Sequence, residues 1–294
     1  MKALRALRSS EWLLIGYFAY VAIVSSRFPL PAAVARLPAL ILILAAGLIL
    51  TLAYAERIGS TKFFSISRDW LPLIFTLIAY REMDWFTPLS WDHHLEFGWI
   101  VWDRSLLYGG LQTAIESLGA VIPTYLELCY LVVYAVGPFT VATLYFAGQR
   151  ERVNQVLFVY LLGTLSAYAL FPYFPSEPPR TLFAGSDLPR MMTAIRRFNL
   201  WIVNGYGIHS SVFPSAHVSS AFSAAWALLG FLPERRKFGW GMLIYATSVA
   251  IATVYGRYHY AVDAVAGAGL SLIALVTTWF LLLRRRRLRV RGLP

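Results

Sequence analysis

The chain has 294 residues, of which 58% are hydrophobic and only 14% charged. A soluble domain carries about a quarter charged residues, so water is not the main solvent for this surface and a polytopic membrane protein is expected. The net charge of +11 arises from 26 basic and 15 acidic residues. Basic residues sit mostly between apolar runs, which fits membrane topology and excludes a soluble nucleic-acid module with one basic face.

In chain order, apolar runs fall near 11–28, 38–55, 69–84, 122–147, 153–173, 216–232, 239–256 and 261–283. A bilayer-crossing helix needs about 20 residues, so the expected fold class is all-α, with about eight spans; the third and sixth runs are short. The first run follows Lys2, Arg5 and Arg8 and ends in Ser25-Ser26-Arg27-Phe28 without a small-x-small cleavage site, so it reads as a span and not a cleaved signal peptide. Trp12, Trp70, Trp240 and Trp279 lie near run ends, where interfacial aromatics belong. Cys129 is the single cysteine and lies inside an apolar run, so no intramolecular disulfide forms and a thiolate metal site is disfavoured.

Residues 85–121 contain Trp91-Asp92-His93-His94 and a weakly amphipathic stretch around 104–118, which predicts a helix lying in the interface. Residues 174–215 are rich in Pro, Gly, Arg and Ser and read as a structured loop, a candidate lid. The chain divides into N-terminal spans over 1–84 and a membrane core over 85–294, with no polar linker between them.

With the N-terminus in the cytoplasm, 17 of the 26 Lys and Arg residues fall in cytoplasmic segments and 9 on the other side. This split predicts both termini inside. The tail Arg284-Arg285-Arg286-Arg287, with Arg289 and Arg291, reads as a stop-transfer and an anchor for anionic lipids, not a nucleic-acid site.

Two polar segments interrupt the apolar sequence. Pro214-Ser215-Ala216-His217 opens the sixth run, and His259-Tyr260-Ala261-Val262-Asp263 opens the eighth. Alternation places both on the outer side, together with Arg180, which ends Pro175-Ser176-Glu177-Pro178-Pro179-Arg180 after the fifth run. His259 and Asp263 share a helix face. A carboxylate bonded to one imidazole nitrogen fixes the tautomer and leaves the other nitrogen free to attack phosphorus. His217 is placed to protonate a leaving alkoxide and then to activate water or another acceptor. Pro214-Ser215 at a helix start offers free N–H groups to an anion. Arg180 and Arg257 are candidates to neutralise phosphate oxygens.

Each residue also has a plainer reading. His217 alone is an interfacial helix-capping histidine, His259 with Asp263 a buried pair joining two helices, Arg257 a head-group anchor and Arg180 a loop charge. His93, His94 and His209 read as loop residues, and Glu127, near the outer end of the fourth run, keeps an open role. Ser219, Ser220, Ala221, Ser223, Ala224 and Ala225 read as a surface for close helix packing. The conjunction of three polar segments on one side of the membrane favours chemistry.

Pro214 to His217, together with Gly256-x-x-His259-Tyr260-x-x-x-Asp263-x-x-x-Gly267, resembles the second and third signatures of the type-2 phosphatidic acid phosphatase superfamily. The resemblance covers roughly the second half of the chain. It implies a six-helix core, a metal-independent reaction needing no cofactor, a His259 nucleophile partnered by Asp263, an acid/base His217, and phosphate contacts at Ser215 and Ala216. The first signature, Lys-x6-Arg-Pro, is absent. In its place Glu177-Pro178-Pro179-Arg180 resembles the inositol phosphorylceramide synthase-like branch. Thr253 occupies the position, six residues before the histidine, that usually carries Arg.

The expected function is therefore an integral-membrane lipid-phosphate phosphatase or phosphotransferase working through a phosphohistidine. One alternative is synthase-like transfer of a phospho-head group to a lipid or polyol alcohol; another is a non-catalytic lipid-binding or transport protein. The expected partner is a membrane lipid phosphate, and the expected location a bacterial inner membrane with the site facing outward. The sequence leaves the oligomeric state undetermined.

Overall fold

The computed structural model describes residues 6–59, 62–185 and 187–290, the side chains of 282–290 excepted. The described residues are mostly helical and include no strand. The Arg-rich tail expected to bind anionic lipids lies outside the described side chains and residues.

Thirteen α-helices follow in order among the described residues. The N-terminal part holds α1 (Ser9–Val24), α2 (Leu37–Gly59) and α3 (Lys62–Glu82). Next come α4 (His94–Leu106) and α5 (Gln112–Glu116), joined by a π-turn over Leu107–Leu111. Then follow α6 (Val121–Val132), α7 (Val136–Phe146), α8 (Val153–Leu170), the short α9 (Pro179–Leu182) and α10 (Ala194–Tyr206). The chain closes with α11 (Ala216–Phe231), α12 (Arg236–Tyr255) and α13 (Ala261–Val290).

Among the described residues, five helical segments are long and apolar enough to cross a membrane: Leu37–Gly59, Val121–Phe146, Arg150–Tyr173, Pro233–Tyr255 and Ala261–Leu281. The other three apolar runs are also helical, as α1, α3 and α11. Helix α11 has 16 residues, and α3 carries Lys62, Arg68, Asp69, Arg81 and Glu82, so length or charge separates these from the five.

Helices α8 and α11 form the centre, packed on each other and both on α13. Small residues make this possible. A Cβ on Gly163 would lie 2.0 Å from the Ser223 hydroxyl, and the Ser219 hydroxyl donates to the Gly163 carbonyl at 2.9 Å. Ser219, Ala221, Ser223, Ala224 and Ala225 are all fully buried, so the small-residue surface is a packing surface.

The N-terminal helices join the same core. One apolar cluster includes Leu14 and Phe18 of α1, Ile49 of α2 and Phe75 of α3, along with Leu157 and Leu161 of α8. A polar cluster fastens the α3 start. Arg68 donates to Glu11 at 2.6 Å and also pairs with Glu56, while Asp69 accepts from Arg8 at 2.6 Å and from Arg150 at 2.7 Å. Removing one partner from such a buried group leaves a charge uncompensated, which is strongly destabilising.

Two amphipathic helices cover the other end of the bundle. Helix α4 buries Glu96, Ile100 and Asp103, followed by Leu107, and exposes Phe97, Val101 and Trp102. Helix α10 buries Arg196, Asn199 and Val203 and exposes Phe198 and Trp201. Both turn polar groups inward and aromatic groups outward, the orientation suited to a lipid interface. The helix expected around 104–118 thus begins earlier, at His94, and breaks at Gly110, where φ is 121°. The expected structured loop over 174–215 contains α9 and α10. It is tied to α4 by Arg104, which donates to Asp187 at 2.9 Å.

Candidate active site

The site forms where α11 and α13 begin side by side. Ser215 caps α11 by accepting from the Val218 N–H. At the start of α13, Asp263 accepts from the Tyr260 N–H at 2.8 Å, the backward half of a capping box. The two starts are joined by backbone, since the Ser215 N–H donates to the Asp263 carbonyl at 2.9 Å. A Cβ on Gly267 would lie 2.4 Å from the Ser215 carbonyl oxygen, so only glycine permits this approach.

His259 sits in the link between α12 and α13. Its Nδ1 lies 2.8 Å from the Val212 carbonyl oxygen and 3.3 Å from Asp263 Oδ2. A carbonyl oxygen only accepts, so Nδ1 carries the hydrogen and Nε2 keeps its lone pair. Burial pushes the imidazole pKa down to about 3 and holds it neutral. The tautomer expected from the His–Asp spacing is thus set by a backbone carbonyl, while Asp263 stands beside the ring as a charged neighbour.

The His217 and His259 rings are 5.7 Å apart at 84°. The edges of Tyr130 and Tyr134 flank His217, at 5.2 and 5.3 Å. Both histidines line a small cavity of about 50 Å³, together with Arg180, Ala216, Tyr130 and Tyr258. Arg180 makes no ion pair among the described residues, and its Nε is buried without a partner. Its guanidinium lies 5.7 Å from the Tyr258 ring centre, and its backbone N–H donates to the Arg257 carbonyl at 3.1 Å.

His259, His217, Asp263, Arg180 and Ala216 are therefore brought together, whereas two expected phosphate contacts are not. The Ser215 hydroxyl is turned into its helix cap and is absent from the cavity wall. Arg257 is also absent from the wall, and its side chain is fully buried. Its Nη1 donates to Asp103 at 2.5 Å, and the other Asp103 oxygen accepts from the Ala261 N–H at 2.7 Å. Arg257 adopts a left-handed φ of 62°, uncommon for a residue other than glycine. Asp103 and Arg257 thus clamp α4 to the histidine link.

A second buried network supports the same link. Glu127 accepts from Arg196 at 2.7 Å, from Asn199 at 2.7 Å and from the Tyr258 hydroxyl at 2.7 Å. Arg196 also donates to the Gly256 carbonyl at 3.1 Å. Sequence reading left Glu127 open and missed Asp103, Arg196, Asn199 and Tyr258. The available signal was the helical spacing of Asp103 with Glu96 and Ile100, and of Arg196 with Asn199 and Val203, which puts each charge on a face with an apolar residue.

A family model for the PAP2 superfamily matches residues 91–277. The chain belongs to the PAP2 superfamily. Members are generally phosphatases or phosphotransferases, and membership suggests a phosphoester activity of the phosphatase type. The match leaves α1, α2 and α3 outside it. Searches of curated proteins and of solved structures returned no match.

Proposed function

We propose that this membrane protein cleaves a lipid phosphoester through a phosphohistidine at His259. The observation that carries this reading is an acid-free cavity where an unpaired Arg180 meets two imidazoles, one with its Nε2 lone pair free. In the first step His259 Nε2 attacks phosphorus, the N–P bond forms, and the ester P–O bond breaks. His217 gives its proton to the leaving alkoxide. In the second step His217 takes a proton from water, the water oxygen bonds to phosphorus, and the N–P bond breaks to release phosphate. Asp263 stabilises the positive charge that builds on His259. Arg180 and the free N–H groups in the first turn of α11, at Ala216 and His217, hold the phosphoryl oxygens. Arg257 takes a positioning role through Asp103 instead of the phosphate contact expected from sequence.

The Glu177-Pro178-Pro179-Arg180 segment favours a second reading, in which a lipid or polyol alcohol replaces water and the product is a new phosphodiester or phosphomonoester. Charge distribution supports a site facing away from the cytoplasm, and the short loops and single cysteine suit a bacterial inner membrane. The test is turnover of labelled diacylglycerol phosphate, polyprenyl phosphate and phosphatidylinositol by purified protein. Label trapped on the wild type and missing from His259→Ala supports the phosphohistidine. Phosphate release without added alcohol separates hydrolysis from transfer, and absence of both label and turnover favours a non-catalytic lipid-binding protein.

A further inference from the structure

A second cavity, of about 320 Å³, continues from the histidine pair and shares Tyr80, Tyr134, Ala216 and His217 with the first. One of its walls is α3. Trp70, Leu73, Ile74, Leu77 and Tyr80 recur at helical spacing, so a single stripe of α3 faces the groove. Helix α8 supplies Thr164 opposite, and α11 supplies Ser220. The three aliphatic hydroxyls in this wall are already committed. Thr76 donates to the Pro72 carbonyl, Thr164 to the Tyr160 carbonyl and Ser220 to the His217 carbonyl. Tyr80, Tyr134, Tyr160 and Tyr168 add phenol rings to the wall, and most of the surface the groove presents is apolar. Ile74 and Leu77 are 55% and 61% exposed, so it opens sideways to the lipid phase.

We propose that this groove holds one hydrocarbon chain of the phosphate ester, with α3 as its wall and Trp70 as its floor, so that α3 sets chain-length preference. The inference rests on the phosphoester reading of the histidine site. Polar recognition by Arg180 and the imidazoles ends where the apolar groove begins, which is the division between head and tail of an amphipathic ester. The dimension agrees with a lipid chain. From Tyr80 to Trp70 the helix rises about 15 Å at 1.5 Å per residue, half of a hydrocarbon core ~30 Å thick. Trp70 closes the deep end and is itself braced by Tyr145, at 5.9 Å between ring centres. Because α3 lies outside the family-matched region, this wall is a feature of this chain's N-terminal part.

The test uses the full-length protein in detergent with n-alkyl monophosphates from propyl to hexadecyl. Wild-type kcat/KM is expected to rise with chain length and then level off. Trp70→Ala moves the levelling point to longer chains. Ile74→Trp lowers kcat/KM for dodecyl phosphate by roughly tenfold or more relative to propyl phosphate. An unshifted levelling point in Trp70→Ala, with equal losses on both esters in Ile74→Trp, overturns the proposal. A binding arm keeps the question separate from catalysis. His259→Ala protein is photolabelled with dodecyl phosphate bearing a terminal diazirine, and the label is expected on the 70–77 stretch, displaced by dodecyl phosphate and not by dodecanol. Label elsewhere, or equal displacement by dodecanol, also overturns it. Specific label on α3 without any wild-type turnover would defeat the phosphoester reading and leave the groove standing; turnover indifferent to chain length would defeat the groove alone.

Discussion

The nucleophile assigned to His259 depends on which nitrogen holds the hydrogen, and the Val212 carbonyl at 2.8 Å fixes that at Nδ1. His259→Ala is expected to abolish phosphohistidine formation and turnover, read by labelled phosphate on the protein. Arg180 is the cavity's cation, so Arg180→Ala should lower kcat by about a hundred- to thousandfold, as loss of a preorganised charge donor does; retention of full activity would remove Arg180 from the phosphate cradle. The His259 imidazole also couples stability to pH. An unfolded histidine binds a proton below about 6.5, whereas the folded one stays neutral down to about 3. The unfolded state then holds more protons within that window, so lowering the pH through it favours unfolding. Melting temperature should fall less between pH 7 and pH 5 in His259→Asn than in wild type.

At the scale of elements, the site is a junction of two helix starts and one link. Gly267 lets α13 touch the backbone of Ser215, so Gly267→Ala must push α11 and α13 apart. Overpacking of this kind costs about 1–3 kcal/mol, and activity should fall together with thermal stability. The clamp between α4 and the link differs in kind. Asp103→Ala leaves the Arg257 guanidinium buried and unpaired, a loss of ~3–5 kcal/mol, measured as lowered resistance to thermal or denaturant unfolding. Asp103→Asn keeps the acceptor for the Ala261 N–H and should recover part of that loss. Glu127, held by Arg196, Asn199 and Tyr258, plays a parallel part from α6.

For the whole molecule, one apolar core joins the N-terminal helices to the family-matched region, and charged clusters mark its two ends. The proposed orientation, with the histidine end outside, is open to direct test. Cysteine introduced at Thr181 is expected to react with an impermeant maleimide added outside, and cysteine at Glu151 only after the membrane is opened; native Cys129 is buried and stays silent. Labelling in the reverse order would invert the topology.

The sequence by itself determined the solvent, the helical class and the sites of the two motifs, because apolar run length and short spacings such as His259 to Asp263 are local properties of the chain. It also made the Ser219–Ala225 stripe legible as a packing surface, since small side chains serve close helix approach wherever they meet. Only the tertiary structure decided which charges face the substrate. Arg180 and Arg257 look equivalent in sequence, yet Asp103, more than 150 positions from Arg257, captures one of them, and the other is left without an acid partner in the cavity. The part played by α3 belongs to the same category: its stripe reads as one more apolar face until folding sets it beside His217. In both cases a side chain's role depends on partners brought to it from distant segments, and that pairing is a property of packing that no local pattern encodes.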